Sequence, residues 1–132
     1  MKYLGIDFGL KRIGIATSEG DLASPLKVIE VFSLSDAVEK IIRETREIGA
    51  DMVVVGLPEG ATGKAAKRLV NGLKRAGLGV VEADETLSTQ NTSKLLIEMG
   101  LSKKKRAQTD AQAAAEILQN YLDNTSSNPA LE

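Results

Sequence analysis

The chain contains neither cysteine nor histidine. Their absence excludes a Ser-His-Asp triad, a cysteine nucleophile, a disulfide framework and a zinc site built from thiolates or imidazoles. Any enzyme chemistry must therefore come mostly from Asp, Glu, Lys and Tyr side chains. Because carboxylate oxygens prefer hard cations, a metal site in this chain would suit Mg²⁺ or Mn²⁺.

Aromatic residues and long apolar runs are also scarce. Aromatics make up 3% of the chain, with no tryptophan, which argues against a platform that stacks successive bases of a single nucleic-acid strand. No apolar run is long enough for a transmembrane helix, and the first residues do not resemble a signal peptide, so we expect a cytoplasmic protein without a membrane partner. The net charge of −1 argues against a general nucleic-acid-coating protein but allows a local basic patch.

What is present indicates one soluble domain. The 132 residues are 42% hydrophobic and 27% charged. Hydrophobic periodicity and turn signals predict strands at residues 3–8, 13–17, 26–31, 51–58 and 78–85, and helices at 33–49, 64–76, 89–99 and 110–122. This order indicates an α/β fold with a mixed sheet and helices on both faces. We expect a domain over residues 1–122 and a polar tail over 123–132.

Acidic residues occur where this fold would bring them together. Asp7 lies inside the otherwise apolar run "YLGIDFGLKRIGIA", and Asp84 and Glu85 end the fifth predicted strand. Parallel strands end at one edge of a sheet, where α/β folds bind ligands. Asp110 is predicted to begin the last helix, and the alanines after it would let that helix approach the sheet. Three carboxylates that converge without Lys or Arg between them would repel, and a bound cation would relieve this repulsion.

Each acid also has a structural interpretation. Asp7 could simply end its strand and cap the turn at Gly9. Glu85 could be a solvated loop acid, and Asp110 a helix-terminal acid that complements the helix dipole. Their predicted position at a common edge favours metal binding for the set.

Four segments resemble one known family. "GIDFGLKRIGIATSE", "VVVGLPEGATG", "VVEADETLST" and "TDAQAAAEILQNYL" occur in the order of the YqgF family motifs, over nearly the whole chain. Members of that bacterial family are described as pre-16S rRNA nucleases and Holliday junction resolvases. The resemblance implies a ribonuclease H-like fold with strand order 3-2-1-4-5. It also implies a divalent-metal nuclease site on Asp7, Glu85 and Asp110, with Asp84 as a neighbouring candidate.

The chain departs from the family at one position. Thr86 follows the Asp-Glu pair, where the family usually has arginine. A phosphate-binding guanidinium would then be lost, or its role would pass to another basic side chain. The basic residues that we expect to contact nucleic acid are Lys11, Arg12, Lys64, Arg68, Lys103, Lys104, Lys105 and Arg106. The run "SKKKR" could equally be a solvated loop.

The resemblance implies a Mg²⁺- or Mn²⁺-dependent endonuclease that acts on structured nucleic acid, with precursor 16S rRNA as the favoured substrate. One ion would activate a water molecule and a second would stabilise the leaving oxygen, with Asp7 bridging both. Two alternatives stay open. One is a resolvase that cuts four-way DNA junctions, which would need a dimer. The other is a non-catalytic nucleic-acid-binding module of ribosome assembly. The sequence does not decide between monomer and homodimer. A sugar-kinase or actin-type ATPase would need two fused domains, for which the chain is too short.

Overall fold

The computed structural model describes residues 1–57, 61–84 and 103–126, without the side chains of residues 61, 62, 84, 103–109, 125 and 126. The strands are β1 (Lys2–Phe8), β2 (Arg12–Glu19), β3 (Leu22–Glu30), β4 (Met52–Leu57) and β5 (Val80–Asp84). The helices within these ranges are α1 (Leu34–Ile48), α2 (Ala61–Arg75) and α3 (Lys103–Ser126). The predicted helix at residues 89–99 lies outside the described residues.

The strands form one mixed sheet in the order β3-β2-β1-β4-β5. β2 is antiparallel to both β1 and β3, whereas β4 is parallel to both β1 and β5. The predicted mixed sheet, and the strand order that the family resemblance implies, are therefore both confirmed. The carboxyl ends of β1, β4 and β5 lie at one edge of the sheet. The predicted closeness of the acids near these strand ends depends on this arrangement.

One face of the sheet carries the larger hydrophobic core. The alternation of side chains along β1 and β2 turns Leu4, Ile6, Phe8, Ile13 and Ile15 toward α1 and α2, and all five are buried. α1 and α2 also meet closely, because a Cβ at Gly72 would lie 2.9 Å from Val38 Cγ2. This core fixes the sheet without using any of the predicted site residues.

The opposite face is lined mostly by small residues and covered by α3. Ala16, Val54 and the alanines at positions 114 and 115 of α3 are buried together there. At Gly5, a Cβ would lie 2.8 Å from Leu118 Cβ and 3.0 Å from the carbonyl oxygen of Ala114. The helix therefore lies unusually close to the strands, as the run of alanines predicts.

Helix α1 begins and ends at the predicted residues. The Ser33 hydroxyl accepts a hydrogen bond from Asp36 N–H, and the Asp36 carboxylate accepts one from Phe32 N–H, both at 3.0 Å. The two side chains thus satisfy amides at the start of the helix in the manner of a capping box. Gly49, in the left-handed region with φ of 75°, ends the helix.

The predicted start of the last helix at Asp110 is wrong. α3 begins at Lys103, so the basic run expected in a loop forms its first turns, and Asp110 is its eighth residue. Residues 103–109 contain no glycine or proline and consist mainly of strong helix formers, so nothing stops the helix before Thr109. The helix also continues to Ser126, so residues 123–126 belong to it instead of the expected tail.

Two other boundaries differ from the predictions. β3 starts at Leu22 and includes Pro25, which was expected at the strand's entrance. The strand tolerates this proline because it is an edge strand, and because the register shifts by one residue at Leu26, which is the extra residue of a bulge. α2 begins at Ala61, three residues before the predicted start. None of the helices in the described ranges is long and apolar enough to cross a membrane.

The start of α1 predicts a pH dependence of stability. Hydrogen bonds from the Lys40 amine and from Phe32 N–H hold the pKa of Asp36 below its ordinary value. Because this pKa is lower in the folded than in the unfolded chain, its contribution to stability is complete above the unfolded value. It is lost as the pH falls through the folded value. We expect Asp36→Asn to flatten the fall in the free energy of unfolding below about pH 4.

Urea unfolding at several pH values measures this effect. Glu39→Gln is the matched control, because it removes one negative charge from an exposed position of the same helix. An identical acid profile for wild type and Asp36→Asn would show that the carboxylate does not stabilise the start of α1.

Candidate active site

The register of the sheet places Asp7 at the centre of the ligand-binding edge. Asp7 lies opposite Gly14 of β2 on one side and opposite Gly56 of β4 on the other, and Gly56 in turn lies opposite Ala83 of β5. Residues at the same register share a face, so Asp7 lies on the face that α3 covers. The direct neighbours of Asp7 on both adjacent strands are therefore glycines.

Asp110 reaches this position because Gly14 has no side chain. The backbone of α3 at Asp110 and Ala111 lies so close to Gly14 that a Cβ there would overlap the carbonyl group of Asp110. Gly14 is the direct cross-strand neighbour of Asp7. Asp110 therefore lies close to the strand neighbour of Asp7, at the edge where the two acids are expected to meet. The reason is a close helix–strand contact, and not a helix that begins at Asp110.

A basic side chain pairs with one of these acids. The Arg12 guanidinium is 3.5 Å from Asp110 Oδ2, and each side chain is about one quarter exposed, at 25% and 26%. A pair with this degree of exposure contributes at most about 1 kcal/mol to stability. Its importance is electrostatic, since Arg12 partly compensates the charge of Asp110.

The donor atoms of the site suit a hard divalent cation. Asp7 and Asp110 offer only carboxylate oxygens, which Mg²⁺ and Mn²⁺ prefer. Within the described parts of the chain, no three acidic residues gather closely enough to hold a metal ion by themselves. The other predicted ligands, Glu85 and the side chain of Asp84, lie outside the described residues, as does Thr86. Of the four acids predicted to bind metal, the structure therefore describes the side chains of Asp7 and Asp110.

The predicted nucleic-acid contacts are distributed around this edge. Lys11 is exposed in the β1–β2 turn beside Arg12, and Lys64 is exposed near the start of α2. Arg68 instead lines an open groove of about 510 Å³ between α1 and α2, on the face away from α3. The remaining four predicted contacts form the first turn of α3, and their side chains lie outside the described residues: Lys103, Lys104, Lys105 and Arg106.

Residues 1–124 match the model of a protein family described as RuvX, Holliday junction resolvase. The chain belongs to the RuvX family. YqgF is another name for this family, so the family predicted from the four sequence motifs is confirmed. The enzyme class predicted for this RuvX-family chain, a nuclease, is also that of its relatives.

Curated relatives span nearly all of the chain. A protein of Chloroflexus aurantiacus named "Putative pre-16S rRNA nuclease" is 38% identical, covering 96% of this chain and 89% of its own length. Proteins of the same name from Anaeromyxobacter sp. and Bacillus cytotoxicus are 39% and 35% identical, covering 93% and 94% of this chain. The RuvX-family chain is therefore similar to these proteins over their common domain.

Solved structures confirm the ribonuclease H-like fold. RuvC of Thermus thermophilus, in complex with a Holliday junction substrate, has a TM-score of 0.62 at 16% identity and covers 96% of each chain. The fowlpox virus resolvase bound to Holliday junction DNA has a TM-score of 0.64 at 14% identity, covering 95% of this chain and 99% of its own. At these identities the likeness shows that the RuvX-family chain has the same fold.

Gly14, which determines where Asp110 lies, was not identified from the sequence. A signal for it exists in the alternation of large and small residues, "LGIDF" in β1 and "IGIA" in β2. In both strands the large residues turn toward α1 and α2, and the small ones turn toward α3. Small residues along one face of a strand are typical of a sheet that a helix approaches closely on that face.

The contact at Gly14 predicts a specific defect. We expect Gly14→Ala to force α3 away from β2, to lower the free energy of unfolding by about 1–3 kcal/mol, and to speed hydrogen exchange of the Ala111–Ala115 amides. Gly20→Ala is the control, because a Cβ there meets nothing within 4 Å. It costs only the strain of a positive φ, far from Asp110. Unchanged stability and exchange in Gly14→Ala would contradict the close approach of α3.

Proposed function

We propose that this chain is a divalent-metal-dependent endonuclease that hydrolyses phosphodiester bonds of structured nucleic acid, with precursor 16S rRNA as its substrate. The observation that supports the proposal is the close contact of α3 at Asp110 with Gly14, the direct strand neighbour of Asp7. The names of the curated relatives support the choice of substrate. We also propose that the protein acts in the cytoplasm, where rRNA precursors would be available to it.

Asp7, Asp110 and Glu85 would hold the metal ions, with Asp84 as a neighbouring ligand. Glu85 is two residues beyond Ala83, which lies at the same register as Asp7 on the neighbouring strands. When bound, a divalent cation lowers the pKa of a coordinated water and stabilises the charge that develops on the leaving oxygen. Water activated by a metal ion fits a chain without histidine.

The roles of the protein's own side chains follow from their positions. Asp7 and Asp110 would fix the cations at the edge of the sheet. A cation at Asp110 would take over the charge compensation that Arg12 provides at 3.5 Å. Arg12 would then contact a phosphate of the substrate, together with Lys11 in the same turn. Arg12 and Lys11 would thus bind phosphate from the β1–β2 turn. They would replace part of the phosphate recognition that Thr86, which has no positive charge, cannot provide.

Resolution of Holliday junctions is the second candidate. The description of the matching family model favours it. The chemistry at Asp7 and Asp110 would be the same, and only the substrate and the need for two opposed sites would differ. The non-catalytic assembly module is the third candidate, and the close positioning of two acids at a ligand-binding edge disfavours it.

Cleavage assays test the proposal. An end-labelled precursor 16S rRNA fragment and a four-way DNA junction are incubated with wild type, Asp7→Asn or Asp110→Asn, each with Mg²⁺, Mn²⁺ or EDTA. We expect metal-dependent cleavage of the RNA, reduced at least about 100-fold in both variants, because a bound metal supplies several kcal/mol of transition-state stabilisation.

Asp21→Asn is the matched control. It removes one carboxylate from an exposed position of the β2–β3 turn, at the opposite end of the sheet, and should cut like wild type. Preferred cleavage of the junction would favour the resolvase. If wild type binds both substrates and cuts neither with any metal, the catalytic proposal is wrong and the assembly module takes its place.

A further inference from the structure

One aromatic side chain is largely exposed to solvent, although large hydrophobic side chains are usually buried. Phe32, between β3 and α1, is 85% exposed. The other three aromatic residues of the chain are covered: Phe8 belongs to the larger core, and Tyr3 and Tyr121 pack edge to face with ring centroids 5.9 Å apart. Aromatic side chains, Phe included, are enriched at binding interfaces relative to the rest of a protein surface.

The backbone around Phe32 is held from three sides. Val31 N–H donates to the Lys11 carbonyl at 2.9 Å, and Phe32 N–H donates to the Asp36 carboxylate at 3.0 Å. The Lys40 amine donates to the Glu30 carbonyl at 2.7 Å. Since these contacts fix the segment before any ligand arrives, a ligand on the ring would cost little additional ordering.

Phe32 lies at the same end of the sheet as the acids. Glu30 is the register partner of Arg12, and Arg12 contacts Asp110. β3 is separated from β1 by β2 alone, so the ends of β3 and β1 are roughly 10 Å apart. A nucleic-acid strand cut at Asp7 could therefore reach Phe32 within a few nucleotides.

The charges around the ring favour a ligand that is both aromatic and anionic. The Lys40 amine lies 5.2 Å from the centre of the ring, although it is also paired with Asp36 at 3.0 Å. Lys11, whose carbonyl anchors Val31, is exposed in the adjacent turn. A nucleotide combines a ring that can stack with a phosphate that a lysine can bind.

We propose that Phe32 stacks on one unpaired base of the substrate, close to the cleavage site, while Lys11 contacts a neighbouring phosphate. The proposal rests on the proposed nuclease function and specifies its substrate class as structured nucleic acid with unpaired nucleotides beside the scissile bond. A single ring does not form a platform for successive bases, so it agrees with the scarcity of aromatic residues in the chain.

The absence of tryptophan from the chain provides a direct test. Phe32→Trp gives the protein a single tryptophan at the proposed contact. Leu22→Trp places one at a comparably exposed hydrophobic position, 72% exposed, at the opposite end of the sheet. Each variant is titrated in EDTA with a precursor-rRNA oligonucleotide that has unpaired flanks, and binding is followed independently by the anisotropy of the labelled RNA.

We expect the RNA to quench the fluorescence of Phe32→Trp and not that of Leu22→Trp. Phe32→Ala should weaken binding at least about fivefold. Phe32→Tyr, which keeps an aromatic ring, should bind with the wild-type affinity. Leu22→Ala should also bind with the wild-type affinity. The effect of Phe32→Ala should disappear on a fully paired duplex without unpaired flanks.

Several results would overturn the inference. Unquenched fluorescence of Phe32→Trp on saturating RNA would exclude stacking, as would equal affinities of wild type and Phe32→Ala. Sedimentation that shows self-association of wild type and its loss in Phe32→Ala would assign the ring to a contact between copies of the chain. Failure of the proposed function is distinguishable, because wild type itself would then fail to cut the RNA with any metal, whether or not it binds the RNA. An intact nuclease with an indifferent Phe32 contradicts only the stacking role.

Discussion

The candidate active site depends on one steric constraint, the absence of a side chain at Gly14. The backbone of α3 occupies the space where a Cβ would lie, and this contact brings Asp110 next to the strand neighbour of Asp7. Two residues that are 103 positions apart in the sequence become parts of one site in this way. Because the helix contacts the strand with its backbone, the position of Asp110 depends little on the side-chain conformations around it. Such rigid support is what a metal site needs from its scaffold.

The two faces of the sheet differ, because one contains the larger core and the other contains the candidate site. The face toward α1 and α2 is filled with large aliphatic side chains and contains the larger core. The face toward α3 consists mainly of small residues, which bring the helix close to the strands. The C-terminal half of α3 is fixed separately. Gln119 accepts a hydrogen bond from Ala23 N–H and donates to the Asp21 carbonyl, which ties the helix to the β2–β3 hairpin. The start of α3 and the β1–β2 turn can therefore contribute to the site without being the main source of the protein's stability.

Local sequence signals predicted much of this fold, because they act over a few residues. Alternating side chains identified the strands, and Ser33 with Asp36 identified the start of α1. The start of α3 was not predictable in the same way. Thr109 and the residues that follow it form a good sequence for the start of a helix. The strong helix formers before Thr109 nevertheless let the helix begin at Lys103. The bulge beside Pro25 depends on an edge-strand position that only the assembled sheet defines.

Within the candidate site, the sequence indicated which acids to examine but not the basic side chain that pairs with one of them. The edge position of Asp7 follows from strand order, and the motifs of the family identified Asp110. The pairing of Arg12 with Asp110 follows from the length of α3 and from the register of β2, neither of which a linear pattern contains. Phe32 gave no signal as a functional residue, because a single aromatic before a helix cap is usually buried, and its exposure depends on how the β3–α1 connection is held.

The most direct test of this account is a crystal structure of the protein grown with Mn²⁺, with anomalous scattering used to locate the ion. The account predicts an anomalous peak in contact with carboxylate oxygens of both Asp7 and Asp110, with Arg12 moved off Asp110. An anomalous map with no peak at this corner, in which Arg12 still pairs with Asp110 at high Mn²⁺ concentration, would contradict the assignment of these two acids as metal ligands.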